Sequence, residues 1–257
     1  MLRVLNANKS FGGIKAVNRF SMDLKDSLIT GLVGPNGSGK TTLFHLITGF
    51  YEPDSGEVYF DDQPIHGLPA HKISQKGLVR NFQHSRVLPF LTVRDNLLAS
   101  CPHQLGEKIL PVFFLPSKIR AQEAKNSQKA DEVLNMLKLD HLADQPAGRL
   151  SYGQQKLLEL GRVLMADPRL ILLDEPTAGV NPSLTRQIVE LIRELTQKGV
   201  RFFMVEHNMP LVAELCPRLL VMDAGELIFD GSPKEAMKDP KVVEAYLGKD
   251  PGAARGR

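Results

Sequence analysis

Hydrophobic and polar positions change rhythm twice along this chain. Over residues 1–60 the pattern reads as short strands and turns, with Val17, Phe20, Met22 and Leu24 marking the buried face of a partly antiparallel sheet. The apolar run 28–33 feeds directly into a glycine-rich stretch, and 41–48 carries the spacing of a helix. From about residue 84 to 165 strand signals give way to helical periodicity. Beyond 165, strand and helix alternate again. The runs 170–173 and 202–205 are continuously apolar, as parallel strands covered on both faces require. Between them Asn181, Pro182 and Ser183 open a helix whose Leu184, Ile188, Leu191, Ile192 and Leu195 share one face, and Gly199 closes it. That is a β-α-β unit. Ala224 and Gly225, set between two apolar runs, predict a hairpin. Ser232 with Glu235 has the composition of a capping box that opens a final helix, and residues 249–257 read as a mobile tail.

The helical middle contains one odd segment, 109–116. Pro111 and Pro116 argue against an eight-residue helix there. Phe113 and Phe114 are expected to pack beneath the helical insertion, the alternative being a patch that faces a partner. A charged helix follows over 118–138. With no internal repeat and no low-complexity linker, residues 1–248 are expected to form one α/β domain. Its core comprises 1–83 and 166–248, and 84–165 is a helical insertion.

A hydrophobic content of 42% and a charged content of 24% in 257 residues suit a folded globular chain, so wholesale disorder is not expected. The net charge of +3 is spread over Lys and Arg scattered among Asp and Glu. A nucleic-acid binder usually concentrates its basic residues, so no nucleic-acid partner is expected. Cys101 and Cys216 show neither disulfide-framework spacing nor a histidine pattern for zinc, which predicts reduced thiols in the cytoplasm. The start, Met1 to Asn6, lacks the features of a signal peptide, and no apolar run approaches the roughly 18–20 residues that span a bilayer. A role at a membrane would therefore require docking onto something embedded in it.

The chemistry is concentrated in a few short motifs. Gly34, Pro35, Asn36, Gly37, Ser38, Gly39, Lys40, Thr41 and Thr42 contain G-x-x-x-x-G-K-[ST] in full, in the strand–loop–helix context the motif needs. Glycines let successive backbone N–H groups curl toward phosphates, and the helix that follows presents its positive end to the same charge. Lys40 would reach the β- and γ-phosphates, and the Thr41 hydroxyl would complete the shell of a Mg²⁺ ion. Asp174 and Glu175 end the buried run 170–173 at the same edge of a parallel sheet, which aims them at the same crevice. Asp174 fits the metal-holding role and Glu175 the base that deprotonates the attacking water. His207 follows another buried strand and would contact the γ-phosphate. The Gln83 amide, placed after an expected strand at 77–82, would sense both Mg²⁺ and water. Ser151, three residues before Gln154, is an N-cap with the spacing of a capping box, and Gly153 leaves backbone bare where a phosphate would approach. From spacing alone, a capped amphipathic helix and an anion site remain equally open for that segment.

Taken in order, the phosphate loop, Gln83, the segment 150–155, Asp174 with Glu175, and His207 resemble the nucleotide-binding subunit of ABC transporters over essentially residues 1–248. The resemblance implies a P-loop NTPase ABC ATPase fold, with a mixed sheet core, an N-terminal antiparallel β subdomain and an inserted α-helical subdomain. It implies a head-to-tail pair of cassettes, homodimeric or heterodimeric. Each of two ATP molecules would lie between one subunit's Lys40 loop and the other's Ser151, Gly153 and Gln154. It also implies that Phe11 stacks on adenine, and that a groove beside Gln83 and the helical insertion grips a membrane partner. Two positions depart from the family pattern: Tyr152 stands where glycine is usual, and Asn181 where aspartate is usual. These departures, the long insertion between about 100 and 130, and the ending Glu244, Ala245, Tyr246, Leu247, Gly248 look like the ATPase of branched-chain amino-acid importers. That subfamily implies two permease subunits, a second ATPase subunit, an external substrate-binding protein, and a peripheral place on the cytoplasmic face of the inner membrane. The ATPase of another ABC transporter, such as a lipopolysaccharide exporter, is the nearer alternative. A soluble ABC ATPase acting on nucleic acid or ribosomes is a more distant one.

Overall fold

The computed structural model describes residues 1–81, 87–107 and 109–247. Along the chain, β1 (Leu2–Phe11) and β2 (Ile14–Asp23) precede β3 (Ile29–Val33), α1 (Lys40–Ile47), β4 (Ser55–Phe60), β5 (Gln63–Pro64), α2 (Ala70–Gln75) and β6 (Leu78–Arg80). The helical stretch holds α3 (Val93–Leu98), α4 (Ile109–Phe114), α5 (Pro116–Leu137) and α6 (Tyr152–Leu164). Then come β7 (Leu170–Asp174), α7 (Pro182–Gln197), β8 (Arg201–Val205), α8 (Met209–Leu215), β9 (Arg218–Asp223), β10 (Glu226–Gly231), α9 (Pro233–Ala236) and α10 (Pro240–Leu247).

Two sheets organise these elements. An antiparallel sheet runs β2-β1-β4-β5, and a six-stranded sheet runs β10-β9-β3-β8-β7-β6. In the larger sheet β6, β7, β8, β3 and β9 are mutually parallel, and only the edge strand β10 is antiparallel. The continuous apolar runs have a simple cause. Leu170, Leu172, Phe203 and Val205 join the core shared with the antiparallel sheet and α1, whereas Ile171, Leu173, Phe202 and Met204 point into a second core with α6 and α7. A strand covered on both faces gains from apolar residues at every position. Leu184, Ile188, Leu191, Ile192 and Leu195 of α7 are all buried in that second core, as their shared face predicts.

Val17 and Phe20 are both buried although they stand three positions apart, an offset that places strand residues on opposite faces. The pairing explains this. Ala7 opposes Phe20 and Lys9 opposes Val17, so β2 carries one more residue than β1 between those pairs, and Arg19 takes a positive φ of 47°. Such a bulge resets the alternation and returns both side chains to the core.

No eight-residue helix runs through 109–116: α4 spans six of its residues, with Pro111 in the first turn, where a missing N–H breaks no helical hydrogen bond, and Pro116 opens α5. Two expectations are corrected. Phe113 and Phe114 do not pack beneath the insertion: they are 75% and 76% exposed, and Leu110 beside them is 70% exposed. Ser232 does form the capping box, but it opens only the four residues of α9. The last helix is α10, which starts at Pro240. Among the described residues no helix is long and apolar enough to cross a membrane.

Both cysteines are free and buried. Cys216 is packed with its Sγ 3.4 Å from Met204 Sδ, and burial pushes its thiol up to about 12. Burial also raises Cys101. Since the thiolate is the reactive form, neither cysteine should react promptly with a disulfide reagent at about pH 8 in the native protein. Unfolding should release both, and a thiol titration before and after denaturation checks this.

Candidate functional site

The phosphate loop is shaped by close backbone approaches. It leaves β3 at Val33 and ends at Gly39, the left-handed N-cap of α1 with φ 104°. A Cβ on Gly39 would fall 2.1 Å from the Ala16 carbonyl oxygen, so no other residue fits without displacing the β2 backbone. The tip of the β9–β10 hairpin closes behind the loop, where Gly225 N–H donates to the Ser38 carbonyl at 3.0 Å. Lys40 is buried. Its Nζ donates to the Gly34 and Pro35 carbonyl oxygens at 2.8 and 2.9 Å and to Ser38 Oγ at 3.3 Å. Desolvation lowers the Lys40 pKa, and the charges of Glu175 and Asp174 oppose that shift. The ammonium is thus held in wait by carbonyl groups in a place that favours an anion. Tyr246 of α10 reaches the same loop: burial raises its phenol, while a hydrogen bond from the Gly34 backbone acts in the other direction.

The carboxylates lie at the ends of neighbouring strands. Asp174, the last residue of β7, accepts an ion pair from Arg80 of β6 at 2.6 Å, with 2% and 8% of the two side chains exposed. Glu175 follows with a positive φ of 48°, fixed by its N–H donating to the Val205 carbonyl at 2.9 Å. Its Oε1 lies 3.0 Å from His207 Nε2, a separation at which a protonated Nε2 donates to the carboxylate. Glu175 and His207 border a cleft of about 430 Å³ together with Asn36, Gly37, Gly39 and Lys40. Thr41 and Thr42 of α1 line it too. The structure therefore brings together most residues expected at the phosphate end. Gly34, Pro35, Ser38 and Asp174 stand behind that lining. Thr41 and Asp174 supply hard oxygen donors, the type that suits Mg²⁺, which is usually held by one or two protein groups plus phosphates and water.

Sequence reasoning passed over Glu206. It is 3% exposed, and its two carboxylate oxygens serve two loops. Oε1 accepts from Thr177 N–H at 3.2 Å and from Thr177 Oγ1 at 2.7 Å, while Oε2 accepts from His207 N–H at 3.1 Å. One buried carboxylate thus ties the turn after Glu175 to the turn that carries His207. The signal available was a charged residue directly after a buried strand.

The Ser151 element lies apart from the cleft. Ser151 Oγ accepts from Gln154 N–H at 3.3 Å and Gln154 Oε1 accepts from Ser151 N–H at 2.9 Å, which completes the capping box of α6. Ser151 itself is exposed. Gly153 has a reason internal to the chain: a Cβ there would lie 2.7 Å from Leu184 Cδ2 of α7. Tyr152 is 51% exposed, with its ring beside Gly179 and Lys156 Nζ 5.8 Å from its centroid. Asn181 Oδ1 accepts from Leu184 N–H at 2.9 Å and so caps α7, a duty aspartate would perform equally. Phe11 is outside the cleft lining. Its ring meets Tyr51 edge-on at 5.2 Å and Lys9 Nζ at 5.6 Å. Gln83 lies outside the described residues.

This is the arrangement of a nucleotide-hydrolysing cassette, and comparison with known proteins agrees. Residues 17–178 match the family described as ABC transporter, and residues 226–251 match one described as Branched-chain amino acid ATP-binding cassette transporter. The chain is 42% identical over 248 residues to the "Probable branched-chain amino acid transport ATP-binding protein LivG" of Archaeoglobus fulgidus, covering 96% of this chain and 95% of that protein. It is 37% identical over 250 residues to the high-affinity branched-chain amino acid transport ATP-binding protein BraF of Pseudomonas aeruginosa, covering 97% and 98%. Among solved structures, a nucleotide-free ATP-binding cassette from an ABC transporter superposes with a TM-score of 0.82 at 40% identity, over 97% of this chain and 99% of that one. The chain belongs to the ABC transporter family, as an ATP-binding cassette with the ATP hydrolase activity general to that family.

Thr177→Val removes a hydroxyl that donates to a buried carboxylate. It should lower the unfolding free energy by about 1.5–3 kcal/mol, measured by urea denaturation, and slow ATP turnover by loosening the turn beside Glu175.

Proposed function

We propose that this chain is the ATPase subunit of an importer for branched-chain amino acids, peripheral to the cytoplasmic face of the cell membrane and dependent on Mg²⁺. The observation that carries the hydrolytic reading is the joint facing of Lys40, Thr41, Glu175 and His207 onto one cleft. The substrate class rests on the relatives' named function and on the match of residues 226–251. That C-terminal match favours this reading over a lipopolysaccharide exporter's ATPase.

In the proposed cycle the loop amides and Lys40 take the triphosphate, with Nζ exchanging carbonyl oxygens for phosphate oxygens. Thr41, Asp174 and Gln83 would hold Mg²⁺, whose chemistry when bound is to neutralise charge on the β- and γ-phosphates. Glu175 takes a proton from a water molecule, whose oxygen bonds to the γ-phosphorus as the bond to the β-phosphate oxygen breaks. His207 donates to the γ-phosphate and keeps the base oriented. Phe11 would stack on adenine once its ring turns from Tyr51.

Ser151, Gly153 and Gln154 do not line the cleft of their own chain, which supports their acting on the nucleotide of a second cassette, a like copy or a paralogue. ATP then joins two subunits, because its γ-phosphate takes donors from both, and hydrolysis removes the shared anchor. A second cavity of about 490 Å³, lined by Phe50, Ile73, Val79, Arg80, Arg162 and Val163 among others, suits an amphipathic helix from one of two permease subunits. An external substrate-binding protein would meet the permeases and not this chain.

Glu175→Gln should leave ATP affinity intact, nearly abolish turnover and accumulate a nucleotide-bound dimer. Light scattering with and without ATP reads this, and undiminished hydrolysis by the variant would reject the base assignment. Lys40→Ala should weaken nucleotide binding itself, seen as a lower affinity in an equilibrium titration. Leucine uptake by the reconstituted transporter tests the substrate reading: it should require this chain, and uptake that persists without it excludes the proposed role.

A further inference from the structure

The ion pair at the end of β7 asks for more than a stabilising role. Asp174 is enclosed at 2% exposure, and a carboxylate there needs an opposing charge or it loses its hydration uncompensated. Arg80 supplies that charge from the adjacent strand, where it is two residues along from the Leu78–Leu170 pair and in register with Leu172. Its Nη2 reaches Asp174 Oδ2 at 2.6 Å. Its guanidinium carbon lies 5.6 Å from the centroid of Phe44, a fully buried residue of α1, the helix whose first turn carries Lys40 and Thr41. A planar cation set between an aromatic ring and a carboxylate is constrained in orientation as well as position. Arg80 Nε is buried and has no hydrogen-bond partner among the described residues, so the hold on this guanidinium comes through Nη2 on Asp174 and the Phe44 ring.

Resting on the reading of Asp174 as a Mg²⁺-holding group, we propose that Arg80 is a positioning residue for that carboxylate. By fixing Oδ2 it leaves Oδ1 as the oxygen for the metal, and it ties the carboxylate's orientation to the helix that holds Thr41. Arg80 does not touch nucleotide in this scheme; it acts through Asp174. A purely structural ion pair would support the fold without affecting the metal dependence of binding.

The experiment is an equilibrium titration of the full chain with the β,γ-imido analogue of ATP, first in EDTA and then across a Mg²⁺ series. In Arg80→Met the metal-free affinity should stay at the wild-type value, while the Mg²⁺ concentration giving half of the metal-dependent gain rises by roughly tenfold. Arg80→Gln, which keeps a polar side chain without the charge, carries the same expectation should the methionine variant fail to fold. Arg80→Lys should recover most of the shift. An equal loss of affinity with and without Mg²⁺ overturns the proposal, because that is the mark of a structural role. A half-point displaced to lower Mg²⁺ overturns it too, since Arg80 would then be a competitor of the metal. Asp174→Asn separates the two levels of inference. If that variant moves the Mg²⁺ half-point and the Arg80 variants do not, the Arg80 assignment alone fails. If it leaves the half-point unmoved, the metal role of Asp174 fails first.

Discussion

Val205 pairs with Leu32 on one side and with Asp174 on the other, so β3, β8 and β7 end on a common line across the sheet. The residues that follow each strand then have nowhere to go but the same edge. Gly34 begins the phosphate loop, Glu175 follows Asp174, and Glu206 with His207 follows Val205. Three segments far apart in sequence are brought to one sheet edge by a backbone ladder whose own contribution to the site is Asp174. The ladder holds because both faces of these strands are packed, and a shift of one residue would send every side chain into the wrong core.

Charge burial is the second constraint. Lys40, Asp174 and Glu206 all lie within the outer wall of the site, and each is satisfied differently: Lys40 by backbone carbonyls, Asp174 by a guanidinium, Glu206 by backbone and hydroxyl donors. These arrangements keep the nucleotide-free cassette from collapsing around uncompensated charge. They also differ in how easily they yield. Carbonyl groups can release an ammonium to phosphate and find other donors, whereas a buried carboxylate tied to two loops cannot leave without freeing both.

Much of this was legible in the sequence, and the reasons are local. The phosphate loop is contiguous, Gly34 and Gly39 are demanded by close backbone contacts and Gly37 by its positive φ of 82°, and the strand before it carries Ile29, Leu32 and Val33. The capping boxes at Ser151 and Ser232 and the hairpin at Ala224 and Gly225 are likewise decided within a few residues. What escaped was set by distance or by context. Arg80 and Asp174 are separated by 94 positions, and only the pairing of β6 with β7 joins them. Glu206 was passed over because its partner Thr177 lies 29 residues upstream. Phe113 and Phe114 suggested burial by composition, yet on α4 both stand exposed. The spacing of Val17 and Phe20 made sense only with the bulge at Arg19.

The left-handed backbone of Glu175 has a kinetic corollary. Its N–H is committed to Val205 and its carbonyl receives the Ala178 N–H at 3.1 Å, so the main chain on either side is tethered. A residue fixed in that sparsely populated region cannot swing by rotating φ or ψ without breaking both tethers. The carboxyl group must therefore change partner, from imidazole to solvent and back, by turning about its own side-chain bonds. Rotamer exchange of that sort is orders of magnitude quicker than the opening and closing of whole subunits, so in the proposed cycle the slow step falls to the joint between two cassettes.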